Sequence, residues 1–539
     1  MGLRLLLFLF FYLLSGIIAK NSEDVTIIVR GSATIAETDD NFVCATLDWW
    51  PPEKCNYNQC PWGQASILNL NLNHPILSKA IQAFGSLRIR VGGSLEDQVD
   101  YGIGDLGQPC LPFKKMQGGL FGFSEGCLSM KRWDELNLLF QKTGAIVTFG
   151  LNALKGRKQI RKSVWGGSWN YSNARDFIEY TVAKGYRVDS WEFGNELSGH
   201  GVGASVDAEQ YGKDLIALKS IIDELYKNSS SKPLILAPGG FFEQEWYAQL
   251  LQVSGPGIVN GLTHHIYNLG GGDDSRIASK ILDPKYLSQI ANTFRNLQLT
   301  IQRHGPWSSA WVGEAGGAYN SGSRLVSNKF LNSFWYMDQL GMASKYDTKA
   351  YCRQTLIGGN YGLLDTKTFV PNPDYYSALL WHRLMGKGVL SVDISGSPYL
   401  RAYAHCRKRK AGVSILLINL SKSTWFSVTV RNDINVNIAE GGGIHKDGNF
   451  VHGLKKTVAW VGRKILDGSA KRQEYHLTAL NGNYLSQTVL LNGSPLELTK
   501  DGNIPSLQPI FVPADSPVSV APLSIVFVVA PNFEARVCT

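Results

Sequence analysis

Ser190–Gly199 reads SWEFGNELSG: a short, largely apolar, strand-forming run reaches Gly194, and Asn195 and Glu196 stand directly behind it. Ala310–Gly322, AWVGEAGGAYNSG, repeats the figure, with an apolar run ending at Gly313 and Glu314 behind it. Working outward, short apolar runs alternate with amphipathic stretches from about Asn41 to Met385, the order of repeated β-α units. The expected strands are Ala45–Trp50, Leu87–Gly92, Ala145–Leu151, Ser190–Gly194, Leu234–Ala237, Leu262–Tyr267, Ala310–Gly313 and Thr355–Gly358. Apolar residues at helical spacing lie between them, as in Ala208–Tyr226. Eight strands with intervening helices predict an α/β fold, a (β/α)8 TIM barrel, although an open doubly wound sheet gives a similar rhythm.

Beyond Gly388 the repeat stops. Short alternating strands follow at Leu400–His405, Gly412–Asn419, Phe426–Val430, Gln473–Thr478 and Leu523–Val529, separated by Gly, Pro and Asn turns, and predict a C-terminal β-sandwich domain. The run Val25–Arg30 precedes the barrel and is placed to pair into that sandwich. The expected division is therefore an N-terminal segment 20–40, a barrel 41–387 and a β-sandwich 388–539, a length beyond what one core usually organises.

Arg4, an apolar run from Leu5 to about Ala19 and the polar Lys20–Asp24 that follows read as a signal peptide over residues 1–19. The run is short of the roughly 20 residues a membrane span needs, and no later stretch is long enough, so any membrane contact is expected to be peripheral. Eight cysteines without CxxC or zinc spacing point to structural disulfides in an oxidising compartment. Asn170, Asn228 and Asn419 head glycosylation tripeptides. Together these predict secretion to an extracellular matrix or cell wall, with a lysosome or vacuole as the alternative. The net charge of +9 favours the approach of an acidic polymer, and no nucleic-acid-binding pattern accompanies it.

Barrel active sites lie at the C-terminal mouth, where Glu196 and Glu314 would stand at the ends of the fourth and seventh strands. Opposed carboxylates suit glycoside cleavage, in which one protonates the leaving oxygen and the other attacks the anomeric carbon. Asn195 is placed to bond a sugar 2-hydroxyl. Glu192 is expected inside the barrel or bonded to a basic neighbour, without a chemical role. In His264-His265, a packed or hydrogen-bonded side chain is favoured for His264, and a metal site would need further ligands that no motif supplies, so neither metal nor cofactor is expected.

WEFGNE, FGLNAL (Phe149–Leu154), THHIY (Thr263–Tyr267), WVGEAGGAY and RQTLIGGNYGLLD (Arg353–Asp365) resemble the heparanases of glycoside hydrolase family 79, most closely the plant heparanase-like β-glucuronidases. The resemblance runs in order from about Val43 to the C-terminus. It implies Glu196 as proton donor, Glu314 as nucleophile, and Asp48, Ser94, Asn195, His265, Tyr267, Gly359 and Tyr361 lining the sugar site. It also implies a Cys406–Cys538 bridge, and Cys110–Cys127 is the second expected pair. The implied substrate is a β-glucuronoside within an acidic glycan or proteoglycan, arabinogalactan-type or heparan-like. A neutral-sugar hydrolase of the same clan and a catalytically silent glycan-binding matrix protein are the alternatives. Departures from the animal enzymes are Trp49-Trp50 after Asp48, Ser94 in place of a Thr, Gly316-Gly317 in place of two Ser, and a shorter segment 100–131 where the animal chain carries an excised linker.

Overall fold

The computed structural model describes residues 21–104, 109–433 and 470–538, so the expected signal peptide lies outside the described residues. Eight parallel strands close into a barrel. In chain order they are Val43–Leu47, Arg88–Val91, Ile146–Leu151, Ser190–Phe193, Leu234–Gly240, Gly261–Ile266, Ser309–Ala315 and Thr348–Arg353. A helix follows each strand, beginning with Pro75–Gln82 and ending with Pro373–Leu384. Local chemistry sets their ends. Ser129 caps Met130–Thr143 by accepting from the Arg132 amide, and Gly144 ends that helix at φ 68°, a left-handed turn that glycine adopts without strain.

The eighth strand differs from the expected one. Thr348–Arg353 forms it, and the run at Thr355–Gly358 is loop. TKAYCR reads poorly as a buried strand because Arg353 is charged, yet Arg353 is fully buried and ion-paired to Asp374 at 3.1 Å. Leu356 and Ile357, which mimic a strand, are buried beneath the mouth, with the Leu356 amide donating to the Thr46 carbonyl at 2.9 Å.

Apart from three small sheets of two or three strands among the barrel loops, the remaining described strands form a second domain whose sheet begins at Met385, just before the expected boundary. Ser22–Glu37 joins it, antiparallel to Met385–Ser395 and parallel to Trp425–Asn432. The described part is one continuous eleven-stranded sheet, not two hydrogen-bonded sheets. It folds over a single apolar core, in which Val25, Ile27 and Val29 join Ile415, Leu417, Val518 and Val526. The helix Phe330–Lys345 is wedged between barrel and sheet with fifteen of its sixteen residues buried, so it shows no polar face. Tyr403 and Arg401 of the sheet bond Asp338 on this helix, at 2.5 and 2.8 Å. A Cβ on Gly341 would lie 2.4 Å from the Tyr403 ring, and a larger residue there would separate the two domains.

Asn419 is a correction. Its side chain is buried and donates to the carbonyls of Thr424, Val520 and Ala521, leaving no room for a glycan on its nitrogen, whereas Asn170 and Asn228 are exposed. All eight cysteines pair: Cys44–Cys352, Cys55–Cys60, Cys110–Cys127 and Cys406–Cys538. Cys44 and Cys352 are register partners on the first and eighth strands, so the seam where the barrel closes is covalent. The described parts of segment 100–131, residues 100–104 and 109–131, are built into the barrel flank. Val99–Gly102 pairs with Gly126–Ser129, Tyr101 stacks on Phe177 with centroids 4.3 Å apart, and Phe113 and Phe123 are buried.

Cys406 and Cys538 are 132 residues apart. Replacing both with Ser should cost up to about 4–5 kcal/mol on chain-entropy grounds. Non-reducing peptide mapping together with thermal melts checks this; a free thiol at either position in the native protein, or an unchanged Tm, contradicts it.

Candidate active site

The centre of the mouth is a cation. Arg88 and Arg90 alternate with Ile89 and Val91 on the second strand, so both guanidinium groups point into the barrel. Arg90 is fully buried and serves three partners: Nε donates to Glu192 at 2.5 Å, Nη1 to Glu314 at 2.9 Å and Nη2 to the Asn195 side-chain oxygen at 2.9 Å. Burial opposes the guanidinium charge, but the carboxylates of Glu192, Glu96 and Glu314 more than offset it. Glu96 stands 3.9 Å from Arg90, with one carboxyl oxygen lacking any partner among the described residues, and burial pushes its pKa well up against the pull of Arg90.

Glu314 takes its second hydrogen bond from the Tyr267 hydroxyl, at 2.5 Å. Both oxygens of this carboxylate therefore receive a donor, and its orientation is fixed. Glu196 faces it from the fourth strand. One oxygen of each glutamate and a ring nitrogen of His265 lie within 4.8 Å of one another. Such a trio could also accept a metal ion, but an ion would compete with Arg90 and Tyr267 for the Glu314 oxygens. The two acids differ in environment: Glu196 bonds the His265 Nδ1 at 2.9 Å, and burial pushes its pKa up to about 7 against a weaker opposing pull from Arg90. Burial also takes His265 down to about 4, so its ring is neutral near pH 7. Glu196 has φ 55°, a left-handed conformation costly for a non-glycine residue, held by its amide on the Gly239 carbonyl at 2.7 Å.

Asp48 leaves the first strand beside them. It accepts from the Trp49 amide at 2.6 Å and from Gln354 Nε2 at 2.8 Å, and burial plus the charge of Glu314 raise it to about 7. Gly93, at φ 123°, makes room for it, since a Cβ there would lie 2.5 Å from the Asp48 carboxylate. Ser94 follows in a half-buried turn at the rim. Tyr361 is buried edge-on to Trp62, with centroids 6.1 Å apart, and Gly359 packs over its ring. The Asn360 amide is taken by the Ser321 carbonyl at 2.7 Å, while those of Gly359 and Tyr361 have no acceptor among the described residues. All nine sequence-assigned residues thus gather at one end of the barrel.

Sequence reasoning missed Arg90, Gln354 and Asp97. Asp97 accepts the amides of Asn195, at 2.9 Å, and of Ala153, at 2.7 Å, and so fixes the turn that carries Asn195 and Glu196. The two arginines in LRIRV were the available signal, being charges on the inward face of a strand. Phe241, 41% exposed beside His265 and Tyr267, adds an aromatic face at the cleft edge.

Residues 24–341 match the glycosyl hydrolase family 79 N-terminal domain. Heparanase-like protein 2 of Arabidopsis thaliana is 61% identical over 521 residues, covering 96% of each chain. Baicalin-beta-D-glucuronidase of Scutellaria baicalensis is 40% identical, over 95% of this chain and 93% of that one. Among solved structures, a 4-O-alpha-L-rhamnosyl-beta-D-glucuronidase from Fusarium oxysporum superposes with TM-score 0.63 at 15% identity, over 94% of this chain and all of that one, a likeness of fold.

Two measurements test the site's electrostatics. Arg90→Met strands buried carboxylates and should cost about 3–5 kcal/mol of stability along with activity; a melt within a degree or two of the parent contradicts the role given to Arg90. Glu196 is raised above its ordinary 4.5, so its contribution to stability is fully present below about pH 4.5 and is lost as pH rises through about 7. Glu196→Gln should therefore melt with the parent at pH 4 and above it at pH 8. Parallel curves across that range would refute the raised pKa.

Proposed function

The chain belongs to glycosyl hydrolase family 79 and is a glycoside hydrolase, and from that premise we propose that it cleaves β-glucuronosidic bonds of acidic glycans or proteoglycans with retention of configuration. The observation that carries the reading is the paired but unlike environment of Glu196 and Glu314. Their oxygens approach within 4.8 Å, close to the roughly 5–5.5 Å between carboxyl groups of retaining enzymes and short of the roughly 6.5–9.5 Å of inverting ones. Glu196, raised by burial, gives its proton to the glycosidic oxygen as the bond to the anomeric carbon breaks. Glu314, oriented by its hydrogen bonds from Arg90 and Tyr267, forms the new bond to that carbon. Glu196, now a carboxylate, takes a proton from water, whose oxygen displaces Glu314 and releases the sugar. Because Arg90 holds the Asn195 oxygen, the amide NH2 is left to face the sugar 2-hydroxyl.

The glucuronide carboxylate is received by the amides of Gly359 and Tyr361 and by the Tyr361 hydroxyl. The unused amides support this reading, since a neutral sugar would leave these donors unpaired at about 1–3 kcal/mol each. The names of the curated relatives point the same way: one is a baicalin glucuronidase, another heparanase-like. Arabinogalactan-type and heparan-like chains are the substrate classes in view. The protein is secreted to matrix or cell wall, or held in a vacuole or lysosome, and glycosylated at Asn170 and Asn228.

Glu314→Ala should abolish turnover of an aryl β-glucuronide, while Glu196→Ala should slow deglycosylation and be partly rescued by azide. NMR of the first-formed product should show the β anomer; an α product rejects the mechanism. For the parent, kcat/KM should fall as pH rises through about 7, as the acid loses its proton. Tyr361→Phe should lower glucuronide turnover about tenfold more than glucoside turnover. Equal losses, or a better rate on the glucoside, reject carboxylate recognition and favour the neutral-sugar alternative.

A further inference from the structure

Past Asp48 the chain runs through Trp49-Trp50-Pro51-Pro52-Glu53 to Lys54, and the Cys55–Cys60 bridge closes a tight loop immediately after. Asn56 and Gln59 bond each other's backbones across that loop, at 2.8 and 2.9 Å. The loop is also pinned to the mouth: Ser321 donates to Asn56 at 2.8 Å, Asn320 to the Tyr57 hydroxyl at 3.0 Å, and Trp62 to Ser321 at 2.9 Å. Lys54 is therefore held on a rigid arm whose other end is the site.

Its ammonium lies 3.9 Å from the centre of the Trp50 ring. Trp50 is wedged among Trp62, Phe121 and Phe123, with centroids 6.5, 6.0 and 5.9 Å away, and Trp62 meets Tyr361 edge-on. A continuous aromatic row thus leads from the catalytic pocket outward and ends beneath a cation. Lys54 is half-buried and has no carboxylate within ion-pair distance among the described residues. Burial draws its pKa down, and the charge of Asp48 on the cleft floor pushes it back up. Beside it opens a cavity of about 400 Å3 lined by Glu53, Lys54, Lys115, Met116, Phe121 and Phe123. Lys115 stands on a small hairpin there, bridged to Phe123. A half-desolvated cation over an aromatic face, with a second cation on the same cavity and only exposed Glu53 opposing, suits an anionic sugar whose ring packs on the aromatics and whose charge reaches the ammonium groups.

We propose that Lys54, with Lys115 across the same cavity, forms a subsite for the anionic group of a sugar flanking the one that is cleaved, so that the enzyme engages chains in which acidic sugars are neighbours. The proposal rests on the β-glucuronidase reading and extends that site beyond a single sugar. Carboxylate and sulfate share the required chemistry, and the two are separated by the ligand used.

The test uses the full-length protein with acidic oligosaccharides as competitive inhibitors of aryl β-glucuronide hydrolysis. Trigalacturonic acid should inhibit at least about tenfold more tightly than monomeric galacturonic acid, and neutral galactotriose should show no such gain. Lys54→Met, which keeps the stem over Trp50 but removes the charge, should cut that gain to about twofold. Lys54→Arg should retain most of it, and Lys115→Met should remove part. Raising salt should erode the gain in the parent and not in Lys54→Met. A sulfated galactose trimer binding better than trigalacturonic acid would assign the subsite to sulfate. An undiminished gain in Lys54→Met, or no gain in the parent, overturns the proposal. Should the parent hydrolyse no glucuronide, it is the catalytic reading that fails, and calorimetric binding of the same trimers to the parent and Lys54→Met still decides the subsite.

Discussion

One guanidinium holds the mouth of this barrel together. Arg90 reaches Glu192, Glu314 and Asn195 from a position with no access to water, so the nucleophile candidate, its supporting carboxylate and the neighbouring amide are oriented by the same group. Desolvating these charges costs several kcal/mol per ion and is offset only because every nitrogen of the guanidinium has an acceptor at good distance. Such an arrangement contributes little net stability compared with an apolar core. It holds Glu314 at one rotamer, so that the carboxylate's orientation is set before a ligand arrives.

That demand for rigidity propagates outward. The left-handed backbone at Glu196 persists because Asp97 fixes the Asn195 amide and Gly239 takes the Glu196 amide. Gly93 exists for the space that Asp48 needs. The barrel that carries these turns is closed by the Cys44–Cys352 pair and backed by a helix buried on every side between barrel and sheet. Precision at the mouth is thus distributed over covalent closure, packing and buried hydrogen bonds.

The fold and the two acids were legible because they follow from local pattern: apolar runs of strand length, amphipathic helices between them, and a carboxylate behind Gly194 and another behind Gly313. What escaped depends on contacts between segments far apart in sequence. Arg90 and Arg353 read as interruptions of a strand until Glu192 and Asp374 are placed beside them. The eighth strand was displaced to Thr355–Gly358 because its true sequence ends in that buried arginine, while the apolar residues after it pack under the mouth as loop. Asn419 carries a valid tripeptide, but only the folded sheet shows its amide bonded to three carbonyls. Lys54 has no motif of its own; its meaning lies in Trp50 beneath it.

On the proposed reading, an acidic sugar entering this mouth meets Asp48, Glu96, Asp97, Glu192, Glu196 and Glu314 gathered around Arg90, a cluster in which acids outnumber the cation at its centre. Protons resolve the conflict. Burial raises Asp48, Asp97 and Glu196 to about 7 and raises Glu96 as well, so the first three take up protons as pH falls through about 7. On the proposed mechanism, the same desolvation that raises Glu196 as the acid also lowers the barrier to an anionic ligand as pH falls through about 7. The net charge of +9 can draw such a ligand toward the protein, but salt screens attraction from the surface. On that mechanism, a fall in pH through about 7 favours both the entry of an anionic sugar and proton donation by Glu196, because the same buried acids carry the protons.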